Sequence, residues 1–186
     1  MPFSEADGGF GGGAIETILM SEQFGRGLLI EPFLATVVLA GGALKHGGSE
    51  AQKNQYLPGI IDGSVHGALA FVEPQARFNL ADITTTATAD GDGYVLNGYK
   101  AVVLNGPQAN FLVVSARTSG EQRDEDGVSL FVLDAATAGI ARRDYPTVDA
   151  FRASEITFDN VKVGADSVVG ELGKGLAILQ QAIDDG

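Results

Sequence analysis

The sequence has no cysteine, no tryptophan and only two histidines, His46 and His66, among 186 residues. Without cysteine there are no disulfides, no thiolate nucleophiles and no cysteine-based metal sites. Two histidines do not make a zinc site unless carboxylates stand at suitable spacings, and no such spacing is present. We therefore expect no metal site, and the absence of cysteine is typical of a reducing compartment.

Basic residues are also scarce. Lysine and arginine together number 12 against 24 acidic residues, so the net charge is -12. No basic stripe exists that would release counterions from a phosphate backbone, which argues against a nucleic-acid partner. No apolar run reaches the ~18 residues of a membrane span, and the first residues lack the basic start of a secretory signal. We expect a cytoplasmic protein with no membrane span.

Residues 1–62 have the pattern of helices. The first helix carries an apolar stripe at helical spacing: Ile15, Ile18 and Leu19. Residues 31–44 are almost all apolar, which predicts a helix buried on most sides. Ser49 with Gln52 three residues later predicts a capping box. Pro58 predicts the end of the regular part of that last helix.

The pattern changes to that of strands after Gly63. The turn Asp90–Gly93 lies between two strand-like runs and predicts a hairpin. Residues 111–114 and 128–133 are typical of buried strands. An alternating run near the end of this region skips one residue at Asp159–Asn160, which predicts a β-bulge.

These patterns predict an α+β fold in three parts. Residues 1–62 are a partial helical domain, residues 63–166 a β-rich domain (a barrel or a sandwich), and residues 167–186 a linker with the start of a further helical domain. The glycine-rich run Gly9–Ala14 mimics a nucleotide-binding fingerprint. No strand precedes it, so we interpret it as a loop that enters a helix.

Two segments carry a family resemblance. Residues 68–80 contain Glu73, Pro74 and Ala76 of the pattern T-E-P-x-A-G-S-D, and residues 97–106 match N-G-x-K-x-W-I-T-N-G at their Asn, Gly, Lys, Asn and Gly positions. With further motifs in order along the chain, the sequence resembles the acyl-CoA dehydrogenase family. The resemblance covers part of the N-terminal helical domain and the whole middle domain, with the C-terminal helical domain missing. Within the family it is most similar to the small subunit of pimeloyl-CoA dehydrogenase and related partner subunits.

The resemblance implies an oxidoreductase of fatty acid metabolism acting on CH–CH groups. Such a flavoprotein uses FAD to desaturate an acyl-CoA thioester at its α,β bond and passes the electrons to an electron-transfer flavoprotein. It also implies a homo- or hetero-oligomer. In the family the α-proton base lies in the third domain, so no catalytic residue is assigned here. Neither histidine has an identifiable orienting carboxylate, and Glu73 is interpreted as structural.

The resemblance further implies which residues face the ligands. The positions that contact the cofactor in the family are occupied here by Phe71, Val72, Phe78, Val102 and Leu104. Arg77 and Phe78 stand where small residues approach the phosphates of FAD or CoA, so they are the implied substrate-binding residues and predict a remodelled or closed phosphate site. Four of these side chains, those of Val72, Phe78, Val102 and Leu104, lack the hydrogen-bonding group or the aromatic ring through which the family's residues contact the flavin. FAD binding by this chain alone is therefore expected to be weak or absent, or the four are ordinary strand residues in a dry core.

Two functions follow from this pattern. The chain contributes one wall of a flavin and acyl pocket whose base is supplied elsewhere, or it is a non-catalytic partner subunit that binds no flavin. A third interpretation, an acidic β-domain that only binds a partner, requires the ordered resemblance to be chance.

Overall fold

The computed structural model describes residues 2–186, and its first third is helical. A π-helical segment runs directly into the second α-helix, and the last helix follows the strands. The helices are α1, Ala14–Gly27; the π-helix, Phe33–Ala40; α2, Gly41–Gly47; α3, Glu50–Asp62; and α4, Gly175–Asp184. The strands are β1, Gly67–Ala70; β2, Thr86–Asp90; β3, Gly93–Leu104; β4, Phe111–Arg117; β5, Val128–Asp134; β6, Ile140–Pro146; β7, Arg152–Gly164; and β8, Val168–Val169. The predicted change from helix to strand is confirmed.

Helix α3 shows one correct and one wrong prediction. The capping box is present, since the Ser49 hydroxyl accepts from the Gln52 N–H at 3.2 Å and the Gln52 side chain accepts from the Ser49 N–H at 3.0 Å. Pro58, however, does not end the helix, which continues to Asp62. Proline removes one N–H donor from the helix, and burial of Leu57 and Ile60 on either side of it offsets that loss.

The two predicted apolar helices differ in their surroundings. The segment from Ala35 to Leu44 is buried as expected, because it packs on the sheet and on α4. Helix α1 has no buried residue, and its apolar stripe faces solvent, with Ile15 70% and Ile18 66% exposed. The apolar stripe of α1 is therefore exposed, whereas in the more hydrophobic helical segment from Phe33 to Leu44 the exposed side chain is Leu34, at 44%.

The strands form one sheet in the order β6-β7-β3-β2-β4-β5-β8, and β1 pairs with β4 in parallel. The predicted hairpin joins β2 to β3, and Gly91 at its turn has a φ of 63°. Strands β4 and β5 pair along their whole length, from Phe111↔Asp134 to Arg117↔Val128.

Alternate residues of the central strands serve two hydrophobic cores. On one face of the sheet, Phe111 and Val113 pack with the helices. On the other face, Leu112 and Val114 pack with Ile156 of β7 and the apolar side chains around it. Since β7 lies three strands away from β4, the sheet curls around this second core, as the predicted barrel or sandwich requires.

Two β-bulges interrupt the pairing of β3 with β7. At the first, Asp159 and Asn160 face Asn97 alone, and Asn160 has a φ of 52°. The Asn97 side-chain oxygen accepts from the Asn160 N–H at 2.8 Å, which fixes the extra residue. This bulge lies where the alternation skips, so the prediction is confirmed. The second bulge, at Ala101 and Val102, was not predicted from the sequence.

Candidate functional site

A buried ion pair joins the two family segments. The Lys100 ammonium nitrogen lies 2.7 Å from Glu73 Oε1 and 3.0 Å from the Ser115 hydroxyl. Neither charged side chain is exposed. The Glu73 carboxylate also accepts hydrogen bonds from the Thr84 and Thr85 main chain and from the Gln75 side chain. This network satisfies the Glu73 carboxylate and supports the structural role that the resemblance implies.

Electrostatics keep both members of this pair charged at neutral pH. Burial on its own raises the pKa of Glu73, but the Lys100 ammonium and the hydrogen bonds from Lys100, Thr84 and Thr85 outweigh it and lower that pKa to about 2. Burial lowers the pKa of Lys100 to about 8, against the opposing attraction of Glu73. Charge therefore stays on this pair in a fully buried position.

The bulge in β3 sets the position of Val102. Ala101 and Val102 face Glu155 alone on β7, because Lys100 pairs with Ile156 and Val103 with Ser154. The Ala101 N–H donates to the Val72 carbonyl at 2.8 Å. Val102 adopts a φ of 48° and is 48% exposed. A β-branched residue in this conformation is strained, and such strain collects at functional sites.

The strained Val102 lines a groove with most of the predicted site residues. This groove has a volume of about 650 Å³ and lies between the segment after β1, the β3 bulge and α4. Its lining residues are Phe71, Val72, Arg77, Phe78, Asn79, Leu80, Ala81, Val102, Glu125, Leu176, Gln180 and Ile183. The lining is mostly apolar with a few polar groups, which is typical of a small-molecule site. The groove is therefore a candidate ligand site.

The loop at the rim of the groove is open. Arg77 stands in the position of the family's glycine and has a φ of 51°. Phe78 is 98% exposed, so its ring stands in solvent and does not fill the groove. Turns hold the loop in place, since the Ala76 N–H donates to the Glu73 carbonyl at 3.0 Å and the Asn79 N–H to the Ala76 carbonyl at 2.9 Å. Phe78 therefore does not plug the groove at this loop.

Leu104 lies apart from the other predicted site residues. It lines a second cavity of about 240 Å³, formed with Ile30, Leu34, Phe151 and Arg152 among others. The structure therefore brings together Phe71, Val72, Arg77, Phe78 and Val102 and places Leu104 beyond them along β3.

The remaining family letters have structural roles. A Cβ on Gly98 would lie 2.5 Å from the Thr85 hydroxyl oxygen, and one on Gly106 would lie 2.7 Å from the Ser154 hydroxyl oxygen. Only glycine permits these approaches. The Asn105 side chain donates to the Thr36 hydroxyl at 3.3 Å, and that hydroxyl donates to the Gly67 carbonyl at 3.0 Å. These contacts tie the end of β3 to the π-helix and to β1.

Arg117 was missed by the sequence reasoning. It lies at the end of β4 and is only 7% exposed. Its five N–H groups lie within hydrogen-bonding distance of six main-chain carbonyls, so at least one N–H is shared: the carbonyls are those of Ala81, Ile83, Ser119, Gln122, Asp124 and Asp126. The loop that it organises places Glu125 in the groove. Every residue has a main-chain carbonyl, so no residue type in the sequence indicates that such carbonyls surround Arg117.

The expectation that neither histidine has an orienting carboxylate is wrong for His46. Its Nε2 lies 2.8 Å from Asp185 Oδ2, because α2 and α4 pack side by side. Asp185 lines a small crevice with Phe3 and Val37, away from the groove.

Within residues 2–186, no cluster of three or more potential metal-ligating side chains occurs. None of the helices in that range combines the length and the apolar character that crossing a bilayer requires.

Two family models match the chain. The model "Acyl-CoA dehydrogenase, N-terminal domain" matches residues 1–64, and "Acyl-CoA dehydrogenase, middle domain" matches residues 68–161. The proposed boundaries after residues 62 and 166 stay predictions.

Known proteins of this kind are similar over the whole chain. The short-chain specific acyl-CoA dehydrogenase of Megasphaera elsdenii is 32% identical over 99% of the chain and 50% of its own length. The butyryl-CoA dehydrogenase structure from the same organism superposes with a TM-score of 0.90 at 30% identity, over 99% of this chain and 50% of that one. A solved chain described with the electron transferring flavoprotein of Acidaminococcus fermentans has a TM-score of 0.90 at 29% identity, over 100% and 50%. The chain thus spans about half the length of these relatives, and it belongs to the acyl-CoA dehydrogenase family.

Proposed function

We propose that this chain forms one wall of a flavin and acyl-CoA pocket in an acyl-CoA dehydrogenase. The observation that supports this most directly is the groove, which gathers Phe71, Val72 and Val102 against α4. Two segments far apart in sequence supply these residues, and the Glu73–Lys100 pair joins them.

Each part of the groove has a proposed task. Phe71, Val72 and Val102 provide an apolar surface for the isoalloxazine ring. Arg77 offers a guanidinium to a phosphate of FAD or CoA, a pairing that its planar geometry favours. Phe78 stands beside it at the open rim. FAD held here would supply the hydride acceptor for desaturation of an acyl thioester, and these residues would orient the ring and exclude water. The catalytic base is proposed to lie outside residues 1–186.

A second candidate function is a non-catalytic partner subunit that binds no flavin. It is favoured by the side chains at the groove, because Val72, Phe78 and Val102 offer no hydrogen-bond donor to a ligand. Leu104 lacks one as well and lines a different cavity. The resemblance to small subunits of heteromeric dehydrogenases supports the same candidate.

The proposed substrate is an acyl-CoA thioester, and the proposed electron acceptor is an electron-transfer flavoprotein. The names of the similar proteins support both assignments. A homo- or hetero-oligomer is proposed because α1 exposes an apolar stripe that a further chain or domain can cover. A cytoplasmic location completes the proposal.

Titration with FAD tests these alternatives. Each missing side-chain hydrogen bond weakens binding by about 1 kcal/mol, and about 1.4 kcal/mol corresponds to a tenfold change in affinity. We expect the purified chain to be colourless and to bind FAD no more tightly than micromolar. A yellow protein with stoichiometric, tightly bound FAD would show that the substituted side chains matter less than proposed.

The double variant Val72→Thr/Phe78→Ser is the informative comparison. It restores two hydroxyl groups at positions assigned to the cofactor, and valine and threonine are nearly equal in shape. Tighter FAD binding than the wild type supports the flavin-wall function. Undetectable binding by both proteins supports the partner subunit without flavin.

A further inference from the structure

Two groove-lining segments leave regular strand pairing at the same place. Val72 follows the end of β1, and Val102 lies in the bulge of β3. The hydrogen bond from the Ala101 N–H to the Val72 carbonyl joins them directly. Glu73 is the next residue after Val72, and Lys100 is the residue before Ala101. The buried ion pair therefore lies immediately behind the contact between the two segments.

The conformation of Val102 shows that something holds this bulge in place. A β-branched residue at a φ of 48° persists only where its surroundings over-determine it. Packing of its own side chain is a weak restraint, because that side chain is half exposed. The restraint must come from its neighbours, and Lys100, two residues earlier, is fully buried and fixed by two hydrogen bonds.

Stability alone does not account for a pair of this kind. Replacing a buried ion pair with apolar residues of similar volume is often neutral or stabilising, because both charges pay for the loss of water. What the pair adds is a defined position. The Glu73 carboxylate is held from β3 by Lys100, from the segment before β2 by Thr84 and Thr85, and from its own loop by Gln75.

We infer that Glu73 and Lys100 are positioning residues that hold Val72 against Ala101 and Val102, so that the groove presents a preformed surface to a planar aromatic ligand. Preformed surfaces bind more tightly because less ordering accompanies binding. The inference rests on the proposed function for the identity of the ligand. The positioning itself is visible without a ligand, in the Ala101–Val72 hydrogen bond.

The test is the double variant Glu73→Leu/Lys100→Met, which removes both charges and keeps a similar volume. Because Glu73→Leu also leaves the Thr84 and Thr85 N–H groups and the Gln75 side chain without this acceptor, we expect the thermal unfolding midpoint of the double variant to fall. We also expect the Ala101 amide to exchange with deuterium at least tenfold faster in NMR spectra and FAD affinity to fall at least tenfold. A purely structural pair would change Ala101 exchange and FAD affinity no more than a core variant that lowers the midpoint equally. Val161→Ala, in the core on the far part of β7, is the matched control: it lowers the midpoint and leaves FAD affinity unchanged.

Glu73→Asp is the second variant and decides the matter if the double variant does not fold. It keeps the charge and withdraws the carboxylate by one methylene, so Ala101 exchange should again accelerate. If the folded variants keep the wild-type exchange rate at the Ala101 amide and the wild-type affinity for FAD, the inference is wrong. The proposed function is not affected by that outcome. If the wild type binds no FAD at millimolar concentration, the flavin contact is overturned instead. Ala101 exchange then decides by itself whether the pair positions the two segments.

Discussion

Replacing Arg117 with methionine removes the donor of six main-chain carbonyls and is expected to lower the free energy of unfolding by about 3 kcal/mol. Two of the six acceptors, on Ala81 and Ile83, belong to buried residues. Losing a charged donor there costs about 1 kcal/mol each. The other four acceptors lie in the exposed loop of residues 119–127, where water replaces the guanidinium. The disordering of that loop accounts for the remaining loss of about 1 kcal/mol.

Urea unfolding followed by circular dichroism measures this change, provided that the m-value stays constant. Arg117→Lys should fall between the wild type and the methionine variant, because an ammonium has three donors and lacks the fork of the guanidinium. Arg123→Met is the matched control on the same loop. Arg123 is 72% exposed and pairs with Asp82 at 2.7 Å, and its replacement should cost below about 1 kcal/mol.

The reasoning on Arg117 is refuted if Arg117→Met and Arg123→Met destabilise the protein equally. A loss below about 1 kcal/mol for Arg117→Met would show that water reaches all six carbonyls at little cost. Hydrogen exchange supplies a second check, since amides of residues 119–127 should lose protection in Arg117→Met alone.

Three further predictions concern other parts of the molecule. The pKa of Glu73 is lowered from 4.5 to about 2, so the unfolded state takes up the proton first as the pH falls. The stabilisation by the Glu73 carboxylate should therefore be lost between about pH 4.5 and pH 2. Acid unfolding of Glu73→Gln should lack that part of the transition, and an acid-unfolding curve equal to that of the wild type contradicts the assignment. Val102→Gly should leave the free energy of unfolding unchanged or raise it by up to about 1 kcal/mol in urea denaturation, because relief of the strained positive φ offsets the extra backbone entropy that glycine loses on folding. Val103→Gly, at the buried neighbouring position, should be strongly destabilising in the same assay. The isolated chain should bind an apolar fluorescent dye through α1. Ile18→Glu/Leu19→Lys should reduce that fluorescence without lowering the unfolding midpoint, since α1 has no buried residue. Unchanged dye binding would show that the dye binds to another part of the surface.

Local patterns predicted the local structure well. The Asp90–Gly93 turn, the capping box at Ser49 and the skip at Asp159–Asn160 each depend on a few neighbouring residues, and the structure confirms all three. Pro58 is the exception, because burial of the residues around it outweighed the local preference of proline.

The features that the sequence did not reveal depend on contacts between distant segments. Lys100 was recognised as a family letter, but its complete burial depends on Glu73 and Ser115, 27 and 15 residues away. The second bulge follows from the register with β7 and leaves no break in the alternation of β3. Val102 and Leu104 stand two residues apart on one strand, yet the bulge directs them to different cavities.

The parallel pairing of β1 with β4 has a consequence for how the chain folds. Gly67 pairs with Phe111, so the intervening residues must close a long loop before this contact forms. The β2–β3 hairpin lies inside that loop and needs only a tight turn. Closing a long loop costs entropy, and the contacts that offset this cost form only after the loop has closed. Non-local pairings therefore form slowly. The hairpin should therefore form early, while β1 and the groove segment that follows it should be ordered late in refolding.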